Sequence, residues 1–249
     1  MRKSNVPMIA KPIIDPLFYV LTGTSVLCAV LIVVRASQTE YDQYRFLLWN
    51  LFLAWLPLVV SMFSLVLTRI AKGAFLAVGL LGCGVAWLLL YPNAPYLTTD
   101  FIHLIFSPSY GSSYEQSLLL WFDLVLFFLF SWCGLLLGYL SMRHFHSIVA
   151  HYIASWVGWG FILVVSFLGG FGVYLGRVGR FNSWDVLSPF SLIEGVIEGI
   201  NARSAIFTAL FGTLILIVYI SLFILGRNQV HLTDDAKIGA SDLGRSRTM

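Results

Sequence analysis

Asp100 and His103 lie three residues apart, so a helix would place them on one face, where a carboxylate beside an imidazole can orient the ring for proton transfer. Joined by Asp123 or Asp185, the same pair would form part of a metal shell. Two ligands at this spacing do not specify an ion, and neither metal nor cofactor is expected. Arg177 and Arg180 stand in the word Gly-Arg-Val-Gly-Arg-Phe-Asn-Ser-Trp-Asp. A guanidinium takes phosphate or carboxylate through two parallel hydrogen bonds, and the adjoining Gly176 and Gly179 let a ligand or helix come close. Asn93, Asn182 and Asp185 add polar groups at the same level of the chain. Asp100, His103 and Asp123 are thus the candidate catalytic groups, and Asn93, Arg177, Arg180, Asn182 and Asp185 the candidate ligand-binding ones.

Asp123 is the one charged side chain within six long apolar stretches, at 17–34, 46–67, 74–90, 118–140, 153–175 and 205–225. An acid in the middle of a hydrocarbon layer costs roughly 2.5–3.5 kcal/mol on insertion scales, so a partner or a pathway should compensate it. It sits five residues into its stretch, roughly 7–8 Å deep at helical rise. Groups at the membrane boundary can therefore reach it. The structural alternatives are plain: Asp123 pairs with an arginine to hold the bundle, Asp100 caps a helix, His103 lies on the surface, and the arginines neutralise nearby acids.

The elements that must position these residues are membrane spans. With 59% hydrophobic and 11% charged residues and a mean hydropathy of +0.86, the chain lacks the polar surface of a water-soluble protein. Each stretch approaches the roughly 20 residues of a bilayer-crossing helix, and apolar runs without alternation exclude a barrel. The fold class is all-α and polytopic, with six transmembrane helices over 1–225 and a mobile cytoplasmic tail over 226–249. The first stretch carries no cleavage word and is read as retained. The net charge of +3 is spread over loops and tails, which excludes nucleic acid. Cys28, Cys83 and Cys133 lie in apolar runs and read as packing residues.

Ten basic residues fall inside and five outside when the amino terminus is cytoplasmic, so both termini are expected in the cytoplasm of a cell membrane. In the third connection Pro92 and Pro95 end the preceding helix, and Thr98 to Asp100 start a short one at the membrane surface or dipping into it. In the fifth, Ser188 and Pro189 begin an amphipathic helix over Leu192 to Ile200 that suits the interface. His144, His146 and His151 read as a loop facing lipid headgroups. Gly134 with Gly138, and Gly172 with Gly176, have the spacing of close helix contacts. Phosphate-binding Gly-rich loops, His-Glu-x-x-His and Gly-x-Ser-x-Gly are absent from the sequence, which removes support for ATP-driven transport and for standard metalloprotease or serine-hydrolase chemistry.

The words Tyr-Pro-Asn-Ala-Pro-Tyr-Leu-Thr-Thr-Asp-Phe-Ile-His (Tyr91 to His103) and Arg-Phe-Asn-Ser-Trp-Asp-Val (Arg180 to Val186) resemble a family of bacterial integral membrane proteins catalogued only as domain of unknown function 1361. The resemblance covers the third span through the sixth and implies a bacterial cell-membrane protein without an assigned activity. It carries no catalytic residues across. Tyr91 departs from it, standing where an aliphatic residue is expected. Taken together, the residues predict an outward-facing polar pocket whose ligand is an anionic amphiphile such as a phospholipid or polyprenyl phosphate, bound from the surrounding membrane lipid. The alternatives are a proton-coupled transporter or permease component titrating at Asp123, and an accessory scaffold for an unidentified protein partner.

Overall fold

In lipid, an apolar run can satisfy its backbone only within itself, and six helices among the described residues are long and apolar enough to cross a membrane. The computed structural model describes residues 15–37, 44–105, 114–179 and 199–246. Its long helices are α1 (Pro16–Ser37), α2 (Phe46–Ile70), α3 (Gly73–Leu90), α6 (Tyr114–Tyr152), α7 (Ser155–Arg177) and α8 (Ala202–Ser246). Between α3 and α6 come two short turns of α-helix, α4 (Asn93–Tyr96) and α5 (Ile102–Ile105), flanking a 3-10 stretch, Leu97–Phe101. The described residues contain no strand, as the all-α reading requires.

Local chemistry explains the helix ends. Asp15 accepts a hydrogen bond from the Leu17 amide at 3.0 Å and is followed by Pro16, a residue preorganised for the first helical position. At the α2–α3 turn, Gly73 adopts φ +59°, which side chains other than glycine's tolerate poorly.

Two helices run further than the hydropathy pattern suggests. α6 spans 39 residues, roughly 58 Å at helical rise and well beyond one hydrocarbon layer. Its last turns carry His144 and His146, which are buried and not on a headgroup-facing loop. His144 Nδ1 meets Ser61 Oγ at 2.9 Å and His146 Nδ1 meets the Tyr219 hydroxyl at 2.6 Å. Only His151 of the three is exposed. α8 likewise continues through Gly226 to Ser246, where the sequence reading expects no secondary structure. Ala236, Lys237 and their neighbours do not break a helix, and Gly226, Gly239 and Gly244 cost only about 1 kcal/mol each.

Opposite charges fix α1 against α6. Arg35 at the end of α1 pairs with Asp123 near the start of α6, and Asp15 at the start of α1 pairs with Arg143 near the end of α6. The helices are antiparallel, and twenty residues separate the two charges on each. That is roughly 30 Å, about the thickness of a bilayer's hydrocarbon core. The two ion pairs therefore bracket one membrane-thick slab, with apolar side chains such as Phe75, Val78 and Trp156 facing outward from the bundle.

The α4 region is wedged among α2, α6 and α7. Gly134 of α6 lies against the Ala94 carbonyl and Leu97, and Gly172 of α7 lies against the Pro92 ring; a methyl group at either position would strike these neighbours. The glycines thus let the connection sink into the bundle, where Ala94, Leu97 and Asp100 are fully buried.

Candidate functional site

One end of the bundle gathers the end of α1, the start of α2, the connection after α3, the start of α6 and the end of α7. Asp100 has no exposed surface there. A carboxylate removed from water needs both oxygens answered. Oδ2 accepts from Asn50 Nδ2 at 3.0 Å, and Oδ1 accepts from Arg177 Nη1 at 3.1 Å. The same Nη1 donates to the Tyr96 hydroxyl at 3.2 Å, and the guanidinium lies 5.6 Å from the Tyr96 ring centre.

Arg177 Nη2 lies 3.1 Å from His103 Nε2. Arginine has only donors, so Nε2 must accept, and the imidazole proton is on Nδ1. His103 is therefore a neutral ring whose one basic lone pair is occupied. Phe46 packs against it at 4.7 Å between ring centres. Asp100 offsets the charge of Arg177, so the cluster carries no excess charge. Arg177 also sits in the last turn of α7, where a cation is favoured by the helix dipole.

The predicted residues divide into three groups. Asp100, His103 and Arg177 come together. Asn93 is nearby in sequence and donates to the Leu90 carbonyl at 2.8 Å, closing the end of α3. Asp123 is engaged elsewhere: Arg35 Nε donates to Oδ1 at 2.6 Å and Arg35 Nη2 to Oδ2 at 2.9 Å. This is the arginine pairing that the sequence allows as a structural role. Arg180, Asn182, Asp185 and the amphipathic helix expected over 192–200 up to Glu198 lie outside the described residues.

Two members of the cluster, Asn50 and Tyr96, are not among the sequence-predicted site residues, and neither is Arg35. Asn50 was detectable as a lone amide early in an apolar span. Tyr96 reads as an interface anchor until its hydroxyl is seen on Arg177, and Arg35 reads as a loop residue because the apolar run stops at Val34. Among the described residues no three His, Cys, Asp or Glu side chains gather in a way that would hold a metal ion.

The sequence profile of one family, described as a protein of unknown function (DUF1361), matches residues 49–218. The chain belongs to that DUF1361 family. The match takes in Asn50, Tyr96, Asp100, His103, Asp123 and Arg177, whereas Asp15 and Arg35 precede it. No curated protein and no solved structure matches the chain. The hydrogen-bonded residues of the Asp100 cluster all fall in the DUF1361 region, whereas Phe46, which packs on His103, precedes it, and the ion pairs on α1 join a helix outside that region to one inside it.

Proposed function

We propose that this chain is a multi-pass protein of a bacterial cell membrane, with both termini cytoplasmic, that binds or processes an anionic amphiphile such as a phospholipid or polyprenyl phosphate. The observation carrying this reading is that Arg177 joins Asp100 and His103 at the end of apolar helices while 19% of its side chain stays exposed. Among the described residues its hydrogen bonds run from Nη1 and Nη2, which leaves Nε for a ligand oxygen. His103 offers Nδ1–H as a second donor. When a phosphate draws the guanidinium toward itself, Nε2 of His103 is released and becomes a base beside the ligand. Exposed Ile102 and Ile105 on the adjoining turn give the amphiphile's apolar part a surface to lie on. Arg180, three residues further on, is the candidate second cation.

Proton-coupled transport at Asp123 has less support, because a carboxylate held on both oxygens by one buried guanidinium is poorly placed to exchange protons. The test is lipid identification by mass spectrometry on full-length protein purified in mild detergent. The double variant Asp100→Asn with Arg177→Gln keeps a neutral hydrogen-bonded cluster, so it should stay folded while retention of phosphate-bearing lipid falls about tenfold or more. Equal retention by a folded double variant overturns the proposal.

A further inference from the structure

The third span breaks at Tyr91. Its amide still closes α3 on the Trp87 carbonyl at 2.7 Å, but Pro92 and Pro95 follow at once and the chain turns into the buried connection that leads to Asp100. At this break the Tyr91 ring lies between Gly169 of α7 and Gly138 of α6, which have no side chain to exclude it. The residue is 2% exposed, and its hydroxyl meets no hydrogen-bond partner among the described residues. An orphaned O–H is costly in an apolar interior, and buried hydroxyls are rarely left that way.

The hydroxyl end of this ring borders a small cavity. A methyl group on Gly138 would lie 3.8 Å from the Tyr91 oxygen, so the hydroxyl faces the space that the glycine leaves. Tyr91 and Pro95 line the cavity on one side, Gly138 and Tyr139 of α6 on a second, and Ile215 and Tyr219 of α8 on a third. All of these residues are buried. Gly138 precedes Arg143 by five residues, which puts it roughly 7–8 Å inside the boundary that the Asp15–Arg143 pair marks. The free volume is about 10 Å3, room for one water molecule and too little for a lipid chain or a metabolite.

A buried water needs at least two polar partners. Tyr91 supplies an O–H. The Tyr219 hydroxyl already meets His146 Nδ1 at 2.6 Å, but a phenol oxygen carries two lone pairs beside its proton, so it can accept from a water whichever way the His146 bond runs. We propose that this cavity is a binding site for a single water molecule, which accepts from the Tyr91 hydroxyl and donates to the Tyr219 oxygen. The water fastens the foot of the Asp100 connection to α8 and, through Tyr219, to His146 near the end of α6. The site does not rest on the amphiphile reading of Arg177.

The test is hydroxyl-radical labelling of the full chain in mild detergent by X-ray pulses, read residue by residue by mass spectrometry. Radiolysis of a bound water makes the radical in place. Tyr91 and Tyr219 should therefore be oxidised severalfold faster than Phe127 and Phe130, which are equally buried in the other core cluster. Gly138→Ala puts a methyl group into the cavity without a clash, its nearest neighbour being the Ala94 methyl at 3.4 Å, and should bring both tyrosines down to the phenylalanine rate. Thermal unfolding supplies the second arm. Tyr91→Phe takes a partner from the water and should lower Tm by about 2–4 °C, whereas in a dry cavity it would remove an unpaired hydroxyl and raise Tm. Protection of Tyr91 or Tyr219 equal to that of Phe127, labelling that survives Gly138→Ala unchanged, or a Tyr91→Phe variant that melts at or above the wild-type temperature overturns the proposal.

Discussion

Asp100 and Arg177 share one ion pair but do not carry equal risk. Asp100 is wholly enclosed, whereas Arg177 keeps a fifth of its side chain at the surface, where water can replace a lost partner. Arg177→Gln therefore strands a carboxylate with Asn50 alone, and unfolding in detergent should show a loss of roughly 3–5 kcal/mol, as for other broken buried pairs. Asp100→Asn leaves its guanidinium the hydroxyl of Tyr96, the ring of His103 and solvent, so its loss should be markedly smaller. The two variants combined should recover most of the Arg177→Gln deficit, which a double-mutant cycle reads directly. At His103 the expected order follows from its accepting role. His103→Gln keeps an acceptor for Nη2 and should be close to neutral, while His103→Leu removes it and should cost about 1 kcal/mol.

At the scale of elements, the two ion pairs that join α1 to α6 look alike on paper and should behave differently. Arg35 and Asp123 are 6% and 0% exposed; Asp15 and Arg143 are 25% and 19% exposed. Arg35→Leu should therefore destabilise by several kcal/mol, and Arg35→Leu with Asp123→Leu should restore stability, because an apolar pair fills the space without stranding a charge. Asp15→Asn should change stability by no more than about 1 kcal/mol. Thermal unfolding of the three variants beside the wild type in one detergent checks both statements. A third expectation concerns Gly134, whose added methyl would strike the Ala94 carbonyl. Gly134→Ala should cost roughly 1–3 kcal/mol by overpacking and displace the 3-10 turn that carries Asp100.

The same elements show what the sequence discloses. The spans were legible because continuous apolar composition over helix length has few other meanings. Asp100, His103 and Arg177 were legible as a group because the first two fall in the third connection and the last at the start of the fifth, and antiparallel helices return those connections to the same side. The extension of α6 was hidden, since His144 and His146 look like loop residues until Ser61 and Tyr219 are found facing them. Arg35 was hidden for a related reason: hydropathy marks the apolar limit at Val34, whereas the helix continues to Ser37 and carries the guanidinium inward to Asp123. Partners from remote segments leave no local trace, and a polar residue near a span end reads the same whether it faces water or a buried acid.

For the whole molecule, the decisive question is which side of the membrane the Asp100 end faces. The ion pairs place the two boundaries but are symmetric with respect to inside and outside, so only the distribution of basic residues selects a direction. Ten against five favours cytoplasmic termini, and on that reading Arg177 faces the exterior. Val178 and Tyr152 are exposed residues at opposite ends of α7, one beside Arg177 and the other just before the helix. In a background with Cys28, Cys83 and Cys133 replaced, Val178→Cys should react with a membrane-impermeant maleimide on intact cells, and Tyr152→Cys only after permeabilisation. The reverse pattern would turn the cluster toward the cytoplasm. Its amphiphile would then have to come from the inner leaflet, where anionic headgroups and soluble phosphates compete for the same guanidinium, and the phosphate-lipid assignment would need a selectivity that one partly neutralised arginine does not supply.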